Sequence, residues 1–276
     1  MAELRNIKWT KLIKSLLEKD SLDALTISRS LQWWLTKGFR KNGYLLIDDL
    51  KDLILEYKGV KFYPDLMNYP RVFEAWDRYY IEKVEPKDIV LDLGANIGSY
   101  SLPCALKGCE VYSIEPIYKE ELRFNAVLNK VWGPGHLTDW YMSLYENTVD
   151  CQERIYHSDS VLSFNKVIDI LAPKTPTVIR MDIGGAEWYT RPKEILDLTP
   201  RLLEIEFHFY TEKEQRLADW ECWKTFLSHY NYGYVARWSK HKHWLYLSAE
   251  RNGKIRQEVQ LVDGSFRDST KLQWHP

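Results

Sequence analysis

The segment Val90-Leu-Asp-Leu-Gly-Ala-Asn-Ile-Gly98 constrains the fold of this chain more than any other stretch. An apolar run at residues 89–93 enters a turn with glycines at 94 and 98, and a helical pattern follows at 99–107. Strand, tight turn and helix in that succession build a parallel sheet, because a parallel neighbour is reached only through a crossover. The succession repeats: strands are expected at 111–114, 138–144, 177–181 and 201–207, and helices at 118–130, 163–171, 187–198 and 212–229. Two last apolar runs, 234–238 and 244–248, flank the polar Ser239-Lys-His-Lys242 and read as a closing antiparallel hairpin. The expectation is an α/β fold whose sheet has seven strands, mostly parallel and buried on both faces.

Upstream, residues 53–57 and 60–63 flank Lys58-Gly59 as a small hairpin, with a helix over 48–57 as the alternative, and 71–83 reads as a helix ended by Pro86. Apolar residues recur at near-helical spacing in the first 45 positions, so the chain divides into a helical N-terminal cap at 1–50 and one α/β domain at 51–276. With 276 residues, 45% of them hydrophobic, a large core is affordable and disorder is excluded. Apolar runs fall short of the ~20 residues of a spanning helix, and Met-Ala-Glu-Leu-Arg has no apolar signal core. A soluble, cytoplasmic protein without a membrane span is therefore expected. Cys104, Cys109, Cys151 and Cys222 form no Cys-x-x-Cys pair and read as reduced thiols. The formal charge of -1 hides two basic stretches: 1–45 has nine Lys/Arg against four Asp/Glu, and 237–256 has six against one. These are weak for nucleic-acid binding and suit a solvated face, with RNA as the alternative partner.

The chemistry concentrates at strand ends. Glycines between a strand and a helix N-terminus expose backbone N–H groups and admit a ligand where a Cβ would obstruct it. A dinucleotide fingerprint counted from Gly94 needs glycines at 96 and 99, which are Asn96 and Ser99. Pyrophosphate fits poorly. S-adenosylmethionine, which has an amino-acid end and a sulfonium instead, fits a turn of Gly94, Ala95, Asn96 and Gly98 beside the carboxylate of Asp92. Glu115, 21 residues after Gly94 and followed by Pro116, ends the second strand where an acid can accept both ribose hydroxyl hydrogens.

Asp182 closes the strand at 177–181 just before Gly184-Gly185, in position to face a methyl donor as general base, hydroxyl acceptor or metal ligand. Glu187 opens the next helix, where a carboxylate also suits the helix dipole. In Leu203-Glu-Ile-Glu-Phe-His-Phe209 the period of two puts Glu204, Glu206 and His208 on one strand face, and buried acids are rare unless paired or functional. Glu206 and His208 are expected to share the cleft with Asp182, and His208 to take a proton from a hydroxyl near neutral pH. Ser143, after the third strand, is the expected polar contact to adenine. His241-Lys-His243 lacks a third ligand, and no metal site is expected there.

Together these residues resemble the FkbM family of S-adenosylmethionine-dependent methyltransferases, from about residue 89 to 209. The family's Asp-x-Gly-Ala-Asn-x-Gly turn stands here as Asp92, Gly94, Ala95, Asn96 and Gly98, its Glu-Pro as Glu115-Pro116, and its paired asparagines as Asn125 and Asn129. Its Asp-x-Glu-Gly-Ala-Glu block is Asp182-Ile-Gly-Gly-Ala-Glu187 and its Glu-x-His is Glu206 and His208. Gly184 replaces the usual glutamate, which weighs against a divalent-metal version of the reaction. The resemblance implies the seven-stranded Rossmann-like methyltransferase sheet and O-methylation of a hydroxyl on a small molecule, glycan or metabolite. RNA methylation through the basic stretches and a non-catalytic cofactor-binding subunit are the alternatives. In the enzyme reading Asp182 and His208 handle the acceptor's proton, and Glu187 and Glu206 position.

Overall fold

The computed structural model describes residues 55–62, 78–133, 137–140, 143–144, 161–209, 213–239 and 243–260. The cap expected at 1–50, Cys151, most of the helix expected at 71–83 and the turn at 240–242 lie outside them. Strands β1 (Leu55–Tyr57) and β2 (Val60–Phe62) pair antiparallel across Lys58-Gly59, both at positive φ as such a two-residue turn requires. Asn129 docks the hairpin: its amide oxygen accepts from the Lys61 N–H at 2.8 Å and its NH₂ donates to the Lys61 carbonyl at 2.5 Å.

The main sheet contains β3 (Ile89–Leu93), β4 (Glu110–Ile114), β5 (Leu137–Trp140), β8 (Val178–Met181), β9 (Leu202–His208), β10 (Tyr232–Trp238), β11 (Trp244–Arg251) and β12 (Arg256–Gln260), in the order β12-β10-β11-β9-β8-β3-β4-β5. All seven expected strands are present, and β11 runs antiparallel between β9 and β10. This is the seven-stranded Rossmann-like sheet. An eighth strand, β12, extends it parallel to β10, and its sequence Arg-Gln-Glu-Val-Gln carries no apolar alternation to announce it. The run expected at 138–144 divides: β5 stops at Trp140, and Ser143 belongs to a separate parallel pair, β6 (Ser143–Leu144) with β7 (Val161–Leu162). The helix expected at 187–198 is a 3₁₀ turn at Ala186–Tyr189 and a short helix at Pro192–Leu196, because the residue before a proline is driven out of the helical region and Arg191 is extended.

The two faces of this sheet differ. One is apolar throughout: Leu91, Leu93, Ile179, Met181, Leu203, Ile205, Phe207, Leu245 and Leu247 pack with Trp220 and Trp223 of the helix Lys213–His229. The other begins apolar at Val90, Val111, Val178 and Leu202, and turns polar towards the strand C-termini. There Asp92 lies between Ser113 and Arg180, Arg180 is opposite Glu204, and Glu206 and His208 follow along β9, all buried. After β5 the chain returns to the other side of β3, so β3 and β8 flank the reversal of strand order where open α/β sheets bind ligands.

Candidate active site

The turn after β3 is closed on itself. The N–H groups of Gly94 and Ala95 both donate to the Ile114 carbonyl at 2.9 and 3.1 Å, that of Asn96 to Glu115 Oε2 at 2.7 Å, that of Ile97 to its neighbour Asn96 Oδ1 at 2.9 Å, and that of Gly98 to the Ala95 carbonyl at 2.9 Å. The expectation that these groups face a ligand is corrected, since every one from 94 to 98 is engaged within the chain. The reason for glycine at 94 also changes. Its φ is +84°, and a Cβ there would lie 1.9 Å from the Asp182 carbonyl oxygen, so the residue lets two strand ends touch. Asn96, at φ +52°, takes the left-handed region that asparagine tolerates, and the buried Asn125 amide donates to the Ile97 carbonyl at 3.0 Å. Gly94→Ala is expected to lower the unfolding free energy by about 1–3 kcal/mol, from overpacking against backbone and the strained φ. Urea denaturation followed by circular dichroism measures it, and an unchanged midpoint would show that the turn relaxes freely.

Glu115 is buried and accepts three backbone N–H bonds, from Asn96 at Oε2 and from Ile117 and Tyr118 at Oε1, at 2.7, 2.7 and 3.0 Å. Burial raises its pKa, and those three donors pull it back. A carboxylate offers roughly four lone-pair directions, so with three used Glu115 has room for one further donor, where the sequence suggested a carboxylate open to two. Pro116 follows in a bend, and the Ser143 side chain lies outside the described residues.

Asp92 is fully enclosed. It accepts from the Ser101 hydroxyl, which also bonds Ser113, and from Arg180 Nη1 at 3.1 Å. Burial raises its pKa despite the partial compensation from Arg180 and Ser101. It braces the strand-to-helix junction from inside instead of standing beside a ligand, as the sequence suggested.

Arg180, unforeseen in the sequence, joins the two halves of the site. Its Nη1 also donates to the Gly94 carbonyl at 2.6 Å, and its Nη2 to Asp182 Oδ2 at 2.7 Å and to the Tyr79 hydroxyl at 3.2 Å. The Tyr79 ring lies under the guanidinium at 4.7 Å, and its hydroxyl is 3.2 Å from both Asp182 Oδ2 and Glu206 Oε2. Arg78 donates to Glu206 Oε2 at 3.0 Å. Arg78 and Tyr79 also went unforeseen. Only Arg180 left a trace, as a charge inside an apolar strand run.

Asp182, Glu206 and His208 do come together, as expected. His208 Nε2 lies 3.5 Å from Glu206 Oε1 and 3.9 Å from Asp182 Oδ1, and Nδ1 lies 3.1 Å from Glu187 Oε1. Glu187 meanwhile closes its own turn, accepting from Ile183 N–H at 2.8 Å and Gly185 N–H at 2.9 Å. Burial would pull the imidazole pKa down, but Glu187 first, then Glu206 and Asp182, push it up to about 9. These acids therefore favour the charged imidazole, where the sequence suggested a neutral base. Asp182, with its side chain 15% exposed against 5% for Glu206 and 7% for His208, is the member most open to a substrate. Glu204, on the same face, accepts from Ser248 Oγ at 2.7 Å, and burial raises its pKa to about 8.

No protein-family model matches this chain, and no curated protein does. Among solved structures it is similar to M. jannaschii TYW2 in complex with AdoMet, at 16% identity over 73% of this chain and 87% of that one, with a TM-score of 0.43. It is similar to the M. jannaschii tRNA m1G37 methyltransferase at 16% identity, 73% and 55% coverage and a TM-score of 0.42. An rRNA methylase from Streptococcus thermophilus matches at 10% identity, 66% and 96% coverage and a TM-score of 0.44. At these identities and scores the likeness adds nothing to what the strand order itself shows.

Proposed function

We propose that this chain is an S-adenosylmethionine-dependent methyltransferase of the FkbM kind that methylates a hydroxyl of a small molecule, glycan or metabolite. The observation that carries the reading is the polarity of the strand-end crevice. The N–H groups of residues 94–98 are all engaged within the chain, so this turn has none of them to offer a pyrophosphate. It offers carboxylates instead, Glu115 on one side and Asp182 on the other, next to the reversal of strand order. Acceptor-rich walls suit a cofactor with ribose hydroxyls, an ammonium and a cationic sulfur. S-adenosylmethionine supplies a methyl group already activated for displacement.

The chain then has three tasks. Glu115 accepts a ribose hydroxyl. The braced pair of Arg180 and Tyr79 holds Asp182 in place, and alignment of two reactants can contribute roughly 7–11 kcal/mol to lowering the barrier. Asp182 takes the acceptor's hydroxyl proton as the new C–O bond forms and the carbon–sulfur bond breaks, while protonated His208 and Glu206 fix its far side. Of the basic residues of 237–256, Arg237 is buried and stacks over Tyr80 at 4.9 Å, which takes it away from an RNA phosphate, whereas Arg251, Lys254 and Arg256 are exposed.

Glu115→Ala tests the cofactor assignment. A charged hydrogen bond contributes about 1.5–3 kcal/mol, so affinity for S-adenosylhomocysteine should fall at least tenfold by calorimetry. An affinity within twofold of the parent, in a variant that is folded by circular dichroism, would remove Glu115 from the ribose.

A further inference from the structure

We infer that Asp182, Glu206 and His208 form a divalent metal site, with Asp182 Oδ1, Glu206 Oε1 and His208 Nε2 as its ligands. One ligand atom from each of the three residues lies within 4.8 Å of the others, and the ring Nε2 is 3.5 Å from Glu206 Oε1 and 3.9 Å from Asp182 Oδ1. Metal bonds of about 2.0–2.2 Å to nitrogen and oxygen span tetrahedral edges of about 3.3–3.6 Å, so the ligands need close by only tenths of an ångström to a little over one.

What lies behind each ligand separates this cluster from an ordinary ion-pair network. Metal-bound histidines hand their other ring nitrogen to a carboxylate that orients the ring, and His208 Nδ1 meets Glu187 Oε1 at 3.1 Å. Glu187 is itself pinned by two backbone N–H groups. Each carboxylate likewise turns its second oxygen to fixed donors, Asp182 Oδ2 to Arg180 and Glu206 Oε2 to Arg78, with Tyr79 reaching both. The opposite oxygens are thereby aimed at the imidazole. Three carboxylates within 3.9 Å of one ring favour positive charge at Nε2, carried by a proton in the metal-free chain and by the metal once it displaces that proton. Gly184 does not bear on this set, because none of the three ligands comes from that position. An imidazole with two carboxylates suits Mn²⁺, Co²⁺ or Zn²⁺ better than Mg²⁺. Asp182 is the ligand nearest the crevice, so the open coordination positions would face the acceptor, and a hydroxyl bound there would be acidified in place.

This site rests on the methyltransferase reading for its purpose, though not for its existence. The test is titration of the metal-stripped full chain with Co²⁺, followed by its visible absorption, with Mn²⁺ followed by electron paramagnetic resonance, and with S-adenosylhomocysteine by calorimetry on the same preparation. One equivalent of metal should bind. Folded His208→Ala and Glu206→Gln should each weaken it by at least a hundredfold, and Glu187→Gln by about 10–100-fold as an outer partner. Absence of one-equivalent binding by the unaltered protein at millimolar metal, or binding that survives both ligand substitutions, overturns the site. Metal loss with S-adenosylhomocysteine binding retained leaves the methyltransferase reading standing, and the reverse result sinks that reading while supporting the site.

Discussion

Arg180→Met is expected to lower the free energy of unfolding by about 3–5 kcal/mol, the range for removing one partner of a buried ion pair. The guanidinium is 6% exposed and serves Asp92, Asp182, the Gly94 carbonyl and the Tyr79 hydroxyl together. Methionine fills the volume and leaves Asp92, which is wholly enclosed, with the Ser101 hydroxyl as its remaining hydrogen bond among the described residues. Equilibrium denaturation in guanidinium chloride gives the number. Lys193→Ala breaks the exposed Lys193–Asp197 pair while leaving Asp197 its hydrogen bond from Tyr230, and serves as the comparison, where no measurable change is expected. If Arg180→Met stays within about 1 kcal/mol of the parent, the network is no stronger than a surface pair.

Asp182→Asn is expected to reduce kcat by at least tenfold, and by up to the roughly 10²–10⁴-fold typical of a lost general base, while affinity for S-adenosylmethionine changes by only a few-fold. Asparagine keeps the shape and can still accept from Arg180, so the change isolates the negative charge. The measurement is turnover at saturating cofactor alongside calorimetric binding, once an acceptor hydroxyl compound is in hand. Collapse of cofactor affinity with turnover at saturation preserved would assign Asp182 to cofactor binding and take the proton step away from it.

What was legible in the sequence was whatever depends on neighbours along the chain. The seven strands, the glycine turn and the single polar face of Glu204, Glu206 and His208 all follow from local period and punctuation. Arg180 gained its meaning only from register, because it sits opposite Asp92 on the adjoining strand. Gly94 was identified for its lack of a side chain, but what needs that space is the Asp182 carbonyl, far along the chain. The proton on His208 was unreadable for a similar reason: the decisive carboxylate, Glu187, looked like a helix-end residue until the fold laid it against the ring. Arg78 and Tyr79 come from a connecting segment whose composition gives no sign of what it covers.

The half-polar face of the sheet has a consequence for how the chain finds its native pairing. Side chains alternate strictly along a strand, so β9 displaced by one residue would drive Glu204, Glu206 and His208 into the apolar layer of Trp220 and Trp223. The same slip would press Leu203, Ile205 and Phe207 against Arg180 and Arg78. A strand buried on both faces by uniform aliphatic side chains would resist such a slip only through packing. Here each misaligned pairing strands several charges without partners, at several kcal/mol apiece. The residues that make the site reactive thus also make β9 intolerant of a false register, so stability and faithful assembly limit how freely this corner can change.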